Sequence, residues 1–225
     1  VIIEISNLSY SYPDGTEALK TINLTMDLHE NVGLVGANGS GKTTLLLMMV
    51  GILKGKGSLT VLGESNLKKV RGRVGLVFQN PDDQLFMPTV FDDVAFGPVN
   101  LGMDTVKERV SRALTMVSLS GCEKKSPHHL SYGEKKRVAL AAVLSMEPEL
   151  LLMDEPSANL DPRGKRQLVQ LLKEVPQPKI VAAHDLDLVL ETCERTVLLD
   201  RGTVVADGAT EEILSDTAFL KTHGL

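Results

Sequence analysis

The run Gly36-Ala37-Asn38-Gly39-Ser40-Gly41-Lys42-Thr43 has the spacing G-x-x-x-x-G-K-[ST], with an apolar stretch before it (Val32 to Val35) and an apolar helical pattern after it (Thr44 to Val50). Each residue type there has a task in holding phosphate. Glycines let successive backbone N–H groups turn inward around a β-phosphate, Lys42 brings a point charge to the β- and γ-oxygens, and the Thr43 hydroxyl is placed to ligate Mg²⁺. A helix starting at that point adds the positive end of its dipole to the same anion. A second run, Leu150-Leu151-Leu152-Met153-Asp154-Glu155, ends four apolar residues in two carboxylates. It puts Asp154 at the carboxyl end of a buried strand, the edge where open α/β sheets hold ligands, so Asp154 can hold Mg²⁺ or its water beside Thr43. Glu155 could polarise an attacking water, although Asp-Glu-Pro is also ordinary turn chemistry.

A third candidate is Ser131-Tyr132-Gly133-Glu134. Ser131 followed three residues later by Glu134 predicts a capping box that opens a helix through Val138, Ala141, Ala142 and Leu144. Capped helix N-termini attract phosphate, so this is either a second anion site or a capped surface helix. The pair His128-His129 has no carboxylate or thiol at ligand spacing and reads as surface loop.

Elements that could position these residues are visible around them. Short β-branched or Leu-rich runs recur at Ile2 to Ile5, Val32 to Val35, Val74 to Phe78, Leu150 to Met153, Ile180 to Ala183 and Val197 to Leu199, with helical patterns between several of them. Apolar runs without strict alternation suggest strands covered on both faces, hence an α/β fold with a mostly parallel sheet. Val197 to Asp200 and Thr203 to Ala206 flank Arg201-Gly202 and predict a closing antiparallel hairpin. Between about Pro88 and Leu144 no strand is evident, and Val106-Val110-Ala113-Leu114-Val117 keeps a helical period. The expected organisation is one domain over 1–225, with a core from 1–87 and 145–225 and an inserted helical subdomain over 88–144.

Length and charge narrow the classes. The 225 residues suffice for one α/β core with a modest subdomain, too few for two nucleotide-binding halves. A net charge of −5 without a Lys/Arg block argues against a nucleic-acid partner. The longest apolar stretch, Thr44 to Leu53, contains Gly51 and is far short of the ~20 residues of a membrane-spanning helix. Cys122 and Cys193 lie far apart, which indicates neither a disulfide framework nor a zinc cluster and suits a reducing cytosol. No signal-peptide pattern follows Val1.

With the phosphate loop, Gln79, Ser131-Tyr132-Gly133-Glu134, Asp154-Glu155, Ser157-Ala158-Asn159-Leu160-Asp161 and His184 at these separations, the chain resembles the ATP-binding cassette ATPases from end to end. The resemblance implies a P-loop NTPase (RecA-like) core with antiparallel β elements and an inserted helical signature subdomain. It also implies a head-to-tail dimer, with identical chains or with a similar second cassette. Each ATP then lies between one chain's phosphate loop (Gly36 to Thr44) and Ser131, Gly133 and Glu134 of the other. By the same resemblance Glu155 acts on water, His184 reaches the γ-phosphate, and Gln79, with Thr43 and Asp154, belongs to the Mg²⁺ set. Asp161 lies in a loop that communicates across the dimer. Tyr12 matches the aromatic that stacks on adenine, with Tyr10 the competing candidate.

A narrower likeness lies in Phe78-Gln79-Asn80-Pro81-Asp82-Asp83-Gln84-Leu85-Phe86 and Thr89-Val90-Phe91-Asp92-Asp93-Val94-Ala95-Phe96-Gly97-Pro98. These segments resemble the ATPases of energy-coupling-factor importers, which energise uptake of transition-metal ions or vitamins through integral membrane subunits. That implies a peripheral location on the cytoplasmic face of the membrane. Ala183-His184-Asp185-Leu186-Asp187, Cys193-Glu194-Arg195 and Val204-Val205-Ala206-Asp207-Gly208 are similar to the cobalt and nickel branch. A vitamin importer and a non-transport cassette acting on nucleic acid are the alternatives. One departure stands out: Tyr132 replaces the first glycine of the usual Leu-Ser-Gly-Gly, and Glu134 stands where glutamine is commoner.

Overall fold

A computed structural model describes residues 1–225. Two compact units divide the chain: residues 1–71, 152–155 and 178–225 form the first, residues 72–151 and 156–177 the second.

The first unit opens with an antiparallel sheet in the order β2-β1-β4, made of β1 (Ile3–Ser11), β2 (Glu17–Met26) and β4 (Lys56–Val61). β1 buries Ile3, Ile5 and Leu8, and β2 buries Leu19, Ile22, Leu24 and Met26. The steps Ile5 to Leu8 and Leu19 to Ile22 break strict alternation, because Asn7 (φ 49°) and Thr21 (φ 51°) are left-handed. An extra residue of this kind resets the parity of a strand and bends it. The parallel part of the unit is β7 (Lys179–Ala183), β3 (Asn31–Val35) and β8 (Arg195–Asp200), with β3 in the middle and pairing both neighbours in parallel. These strands are almost wholly buried, as runs such as Ile180-Val181-Ala182-Ala183 require. β9 (Thr203–Ala209) pairs antiparallel with β8 and closes this edge as the predicted hairpin. Helices α1 (Lys42–Met49), α6 (Leu186–Thr192), α7 (Thr210–Ser215) and α8 (Thr217–Thr222) complete the unit.

The second unit carries β5 (Val74–Val77), α2 (Val90–Asn100), α3 (Val106–Met116), α4 (Tyr132–Leu144) and α5 (Pro162–Glu174). β6 (Leu150–Asp154) runs from the second unit into the first. Residues 88–144 hold helices and no strand. Helix starts follow their sequence signals. Thr89 caps α2 through Asp92 N–H, Ser131 and Glu134 form the reciprocal capping box of α4, and Asp161 caps α5 through Gly164 N–H ahead of Pro162 at its first position.

Candidate active site

The phosphate loop joins the carboxyl end of β3 to α1, and its glycines have steric reasons. Gly41, the residue that caps α1, has φ 108°, and a Cβ on it would lie 2.7 Å from the Ala18 carbonyl. At Gly36 a Cβ would lie 2.2 Å from the Leu199 carbonyl oxygen. A side chain at either position would displace backbone, so the loop is specified by close approach as well as by conformational freedom.

Within this frame five candidate side chains of the first unit meet: Lys42, Thr43, Asp154, Glu155 and His184. Lys42, only 6% exposed, donates through Nζ to the Gly36 carbonyl at 2.7 Å and the Ala37 carbonyl at 3.3 Å, and lies 3.6 Å from Glu155 Oε1. The Thr43 hydroxyl donates to Asp154 Oδ2 at 2.7 Å, joining the loop to the end of β6. Glu155 is 5% exposed, and its Oε2 accepts the backbone N–H of His184 at 3.2 Å. The same oxygen is 2.7 Å from His184 Nδ1, whose ring is largely exposed. Glu155 also has φ 47°, in the left-handed region and directly before a proline. A non-glycine residue held there costs about 1–3 kcal/mol, a cost that points to a fixed placement of its carboxylate. Tyr12 follows β1, and its hydroxyl is 2.9 Å from Thr44 Oγ1, with its ring edge-to-face on Tyr10 at 5.0 Å. Of the two tyrosines, Tyr12 is the one bonded to the helix that carries the loop.

The donor set also bears on the metal. Thr43 and Asp154 present hard oxygens in contact with one another, and Mg²⁺ is held by one or two such protein oxygens together with nucleotide phosphates. No three His, Cys, Asp or Glu groups converge on a protein-only metal cage. The residues present therefore fit Mg²⁺ brought with a nucleotide.

The second unit holds the other sequence-predicted residues, in a different condition. Glu134 Oε2 accepts both the N–H and the hydroxyl of Ser131 at 2.8 Å, and Ser131 Oγ accepts Glu134 N–H at 3.3 Å. These bonds from Ser131 hold the Glu134 carboxyl below its usual range. Ser131 is nonetheless exposed, and a Cβ at Gly133 would meet only Leu160 Cδ2 at 3.6 Å. The Tyr132 hydroxyl lies 3.5 Å from the Gln79 carbonyl and its ring 5.7 Å from Lys136 Nζ, so the substituted side chain lies against its own unit. Gln79 itself is exposed after β5.

Several contacts of this unit have no sequence signal. Lys135 Nζ pairs with Asp82 Oδ1 at 2.7 Å, and Gln84 accepts Phe78 N–H while donating to the Ala139 carbonyl. These bonds tie α4 to the segment after Gln79. Asp93 Oδ1 accepts the Phe86 and Met87 N–H groups at 3.0 Å each, and burial pushes its carboxyl up. Phe86 is thereby presented 63% exposed, edge-to-face on Phe96, with exposed Val99 and Leu101 elsewhere on and after α2. Lys135 and Asp82, and Gln84 and Ala139, are more than 50 positions apart, and no local pattern announces their contacts.

A phosphate loop running from a central parallel strand into a helix, with a carboxylate pair at the end of another strand, defines a P-loop nucleotide hydrolase. The ABC transporter family matches residues 19–158. A Gloeobacter violaceus protein bearing the name ABC transporter ATP-binding protein is 56% identical over 98% of this chain and 94% of its own length. The energy-coupling factor transporter ATP-binding protein EcfA of Methanothermobacter thermautotrophicus is 45% identical over 100% of this chain and 76% of its length. Among solved structures, cbiO1 from Clostridium perfringens, described as part of the ABC transporter complex cbiONQ, superposes with a TM-score of 0.86 at 38% identity, covering 98% of this chain and 93% of that one. A bacterial ABC transporter cassette solved as a dimer gives 0.82 at 27% identity, covering 92% and 98%. The chain belongs to the ABC transporter family, as an ATP-binding protein of the energy-coupling-factor type that couples ATP hydrolysis to transport. The fold expected from sequence is the fold found.

Proposed function

We propose that the chain is one of a head-to-tail pair of cassettes energising import of cobalt or nickel ions through separate integral membrane subunits, on the cytoplasmic face of the membrane. The observation that carries the pair is the unequal condition of the two units. Lys42, Asp154 and Glu155 are buried, whereas Ser131 is exposed and Gly133 is open to close approach. In α4 the box supplies the Ser131 and Glu134 N–H groups, leaving the first-turn donors of Tyr132 and Gly133 for an anion from outside the chain. The second chain's ATP meets that description, and one solved relative is a dimer.

In this reading Tyr12 stacks on adenine, the backbone of Gly36 to Thr44 cradles the phosphates, and Lys42 screens their charge. Thr43, Asp154 and Gln79 would hold Mg²⁺, which would supply neutralisation of phosphate charge. Glu155 orients or deprotonates the attacking water, steadied by the His184 N–H and its ring, while His184 also reaches the γ-phosphate. Residues 88–144 act as the helical signature part and 1–87 with 145–225 as the core. Phe86 and Phe96, exposed and in contact, offer the apolar purchase for a membrane subunit. The cargo rests on the segments around His184, Cys193 and Val204 to Gly208 that resemble the cobalt and nickel branch, and the cbiONQ membership of a solved relative supports it.

Co-purification with membrane subunits encoded beside this chain, followed by ATP-driven ⁵⁷Co²⁺ or ⁶³Ni²⁺ uptake in vesicles, tests the proposal. Vitamin uptake without metal uptake would overturn the cargo alone, and failure to bind any membrane subunit would overturn the importer.

A further inference from the structure

The phosphate loop is costly to order. Gly36, Gly39 and Gly41 all have positive φ, and glycines lose more freedom on ordering than any other residue. The turn between β8 and β9 holds it from behind. Gly202 N–H donates to the Ser40 carbonyl at 3.0 Å, and the Leu199 carbonyl sits where a Cβ of Gly36 would be. These two contacts flank Asp200. The turn is itself strained, because both its central residues, Arg201 (φ 45°) and Gly202 (φ 82°), are left-handed and only one is glycine.

Asp200 is gripped from the segment after α7. Asp216 caps α8, Leu220 is buried at 4% exposure, and His223 Nδ1 lies 2.9 Å from Asp200 Oδ2. The His223 ring is further fixed edge-to-face by Phe219 at 4.7 Å. Next along the chain, a Cβ at Gly224 would stand 3.3 Å from Cβ of Ala37, so this segment also packs directly against the phosphate loop. Asp200 and His223 are 25% and 20% exposed, which screens their pairing less than that of a surface ion pair.

We propose that Asp200 and His223 are positioning residues for ATP binding: their pairing clamps the β8–β9 turn and the segment 216–224 against the back of the phosphate loop and keeps the loop in its cradling form. Apparent affinity falls in proportion to the fraction of chains whose loop is competent, so a clamp that keeps most loops competent raises ATP affinity without touching the reacting atoms. The inference rests on ATP binding at Gly36 to Thr43.

The test is titration of the full chain with a fluorescent ATP analogue, with steady-state ATPase and nucleotide-free melting measured alongside. Asp200→Asn and His223→Ala should raise the ATP Kd and KM roughly three- to tenfold, as expected for loss of a charge-assisted hydrogen bond, with kcat at saturating ATP within about twofold of the parent. His223→Gln, which keeps an N–H donor for Asp200, should recover most of the affinity, and Asp200→Asn with His223→Ala together should cost no more than either alone. Unchanged Kd in both single variants would overturn the clamp. So would His223→Gln behaving like His223→Ala, or a loss of kcat matching a loss of folded protein. Failure of the unsubstituted chain to bind ATP would instead overturn the assignment of the phosphate loop.

Discussion

The two units of the molecule carry their functional residues in opposite ways. In the first, Lys42, Thr43, Asp154, Glu155 and His184 are joined by hydrogen bonds and ion pairs of 2.7 to 3.6 Å that close on one another. In the second, Ser131 and Glu134 bond to each other at a helix start whose Ser131 is exposed, and a Cβ on the adjacent Gly133 would meet only Leu160 Cδ2 at 3.6 Å. A finished site needs its charges buried and paired, because an uncompensated buried charge costs several kcal/mol. A half-site must stay open until its ligand arrives. On the proposed function, the contrast is that between a place where chemistry is prepared and a surface prepared to recognise the other chain's nucleotide.

Substitutions should sharpen the contrast, and the largest effect belongs to the buried site. Glu155→Gln should lower turnover by a factor on the order of 10²–10⁴ while ATP binding persists, because proton transfer is lost and the cradle is kept. Single-turnover hydrolysis beside a nucleotide-binding titration checks this, and undiminished hydrolysis would remove Glu155 from the reaction. On the open side, Ser131→Arg should abolish turnover yet leave the affinity of one isolated chain for ATP within about twofold, the reverse of Lys42→Ala, which should lose binding itself. Equal loss of binding in both would erase the distinction between the units.

Smaller effects probe how the second unit is held together. The Lys135 and Asp82 side chains are 17% and 54% exposed, so replacing Lys135 with Met should cost less than about 1 kcal/mol of stability. Its larger signature should be fewer ions transported per ATP, restored by the exchanged pair Lys135→Asp with Asp82→Lys. The smallest effect concerns the capping box. Ser131→Ala should cost about 1 kcal/mol in thermal or urea unfolding. Because Glu134 is held below its ordinary carboxyl value, its contribution is present above that value and disappears as pH falls through the lowered one. The Ser131→Ala deficit should therefore shrink in acid.

What could be read from sequence followed the same division. The phosphate loop, the Asp154-Glu155 strand end, the β8–β9 hairpin and the α4 capping box are local patterns, each fixed by residues a few positions apart. β2 escaped notice because Thr21 shifts the parity between Leu19 and Ile22, and β4 because Lys56 to Ser58 are exposed and only Val61 is buried. The reach of Lys135 to Asp82, of Asp93 to Phe86, and of His223 to Asp200 depends on which elements pack together. Asp93 and Phe86 are only seven positions apart, yet nothing local marks Asp93 as an acceptor for the Phe86 N–H.

The central claim, that one chain's buried site is completed by the other chain's open one, is tested most directly by mixing two inactive variants. Lys42→Ala and Ser131→Arg chains, combined equally and shown by tagged pull-down to form mixed pairs, share one intact composite site per mixed pair. ATP turnover should return to about a quarter of the unsubstituted activity, since half the pairs are mixed and each has one of two sites. Mixed pairs that form and remain inactive would contradict the account.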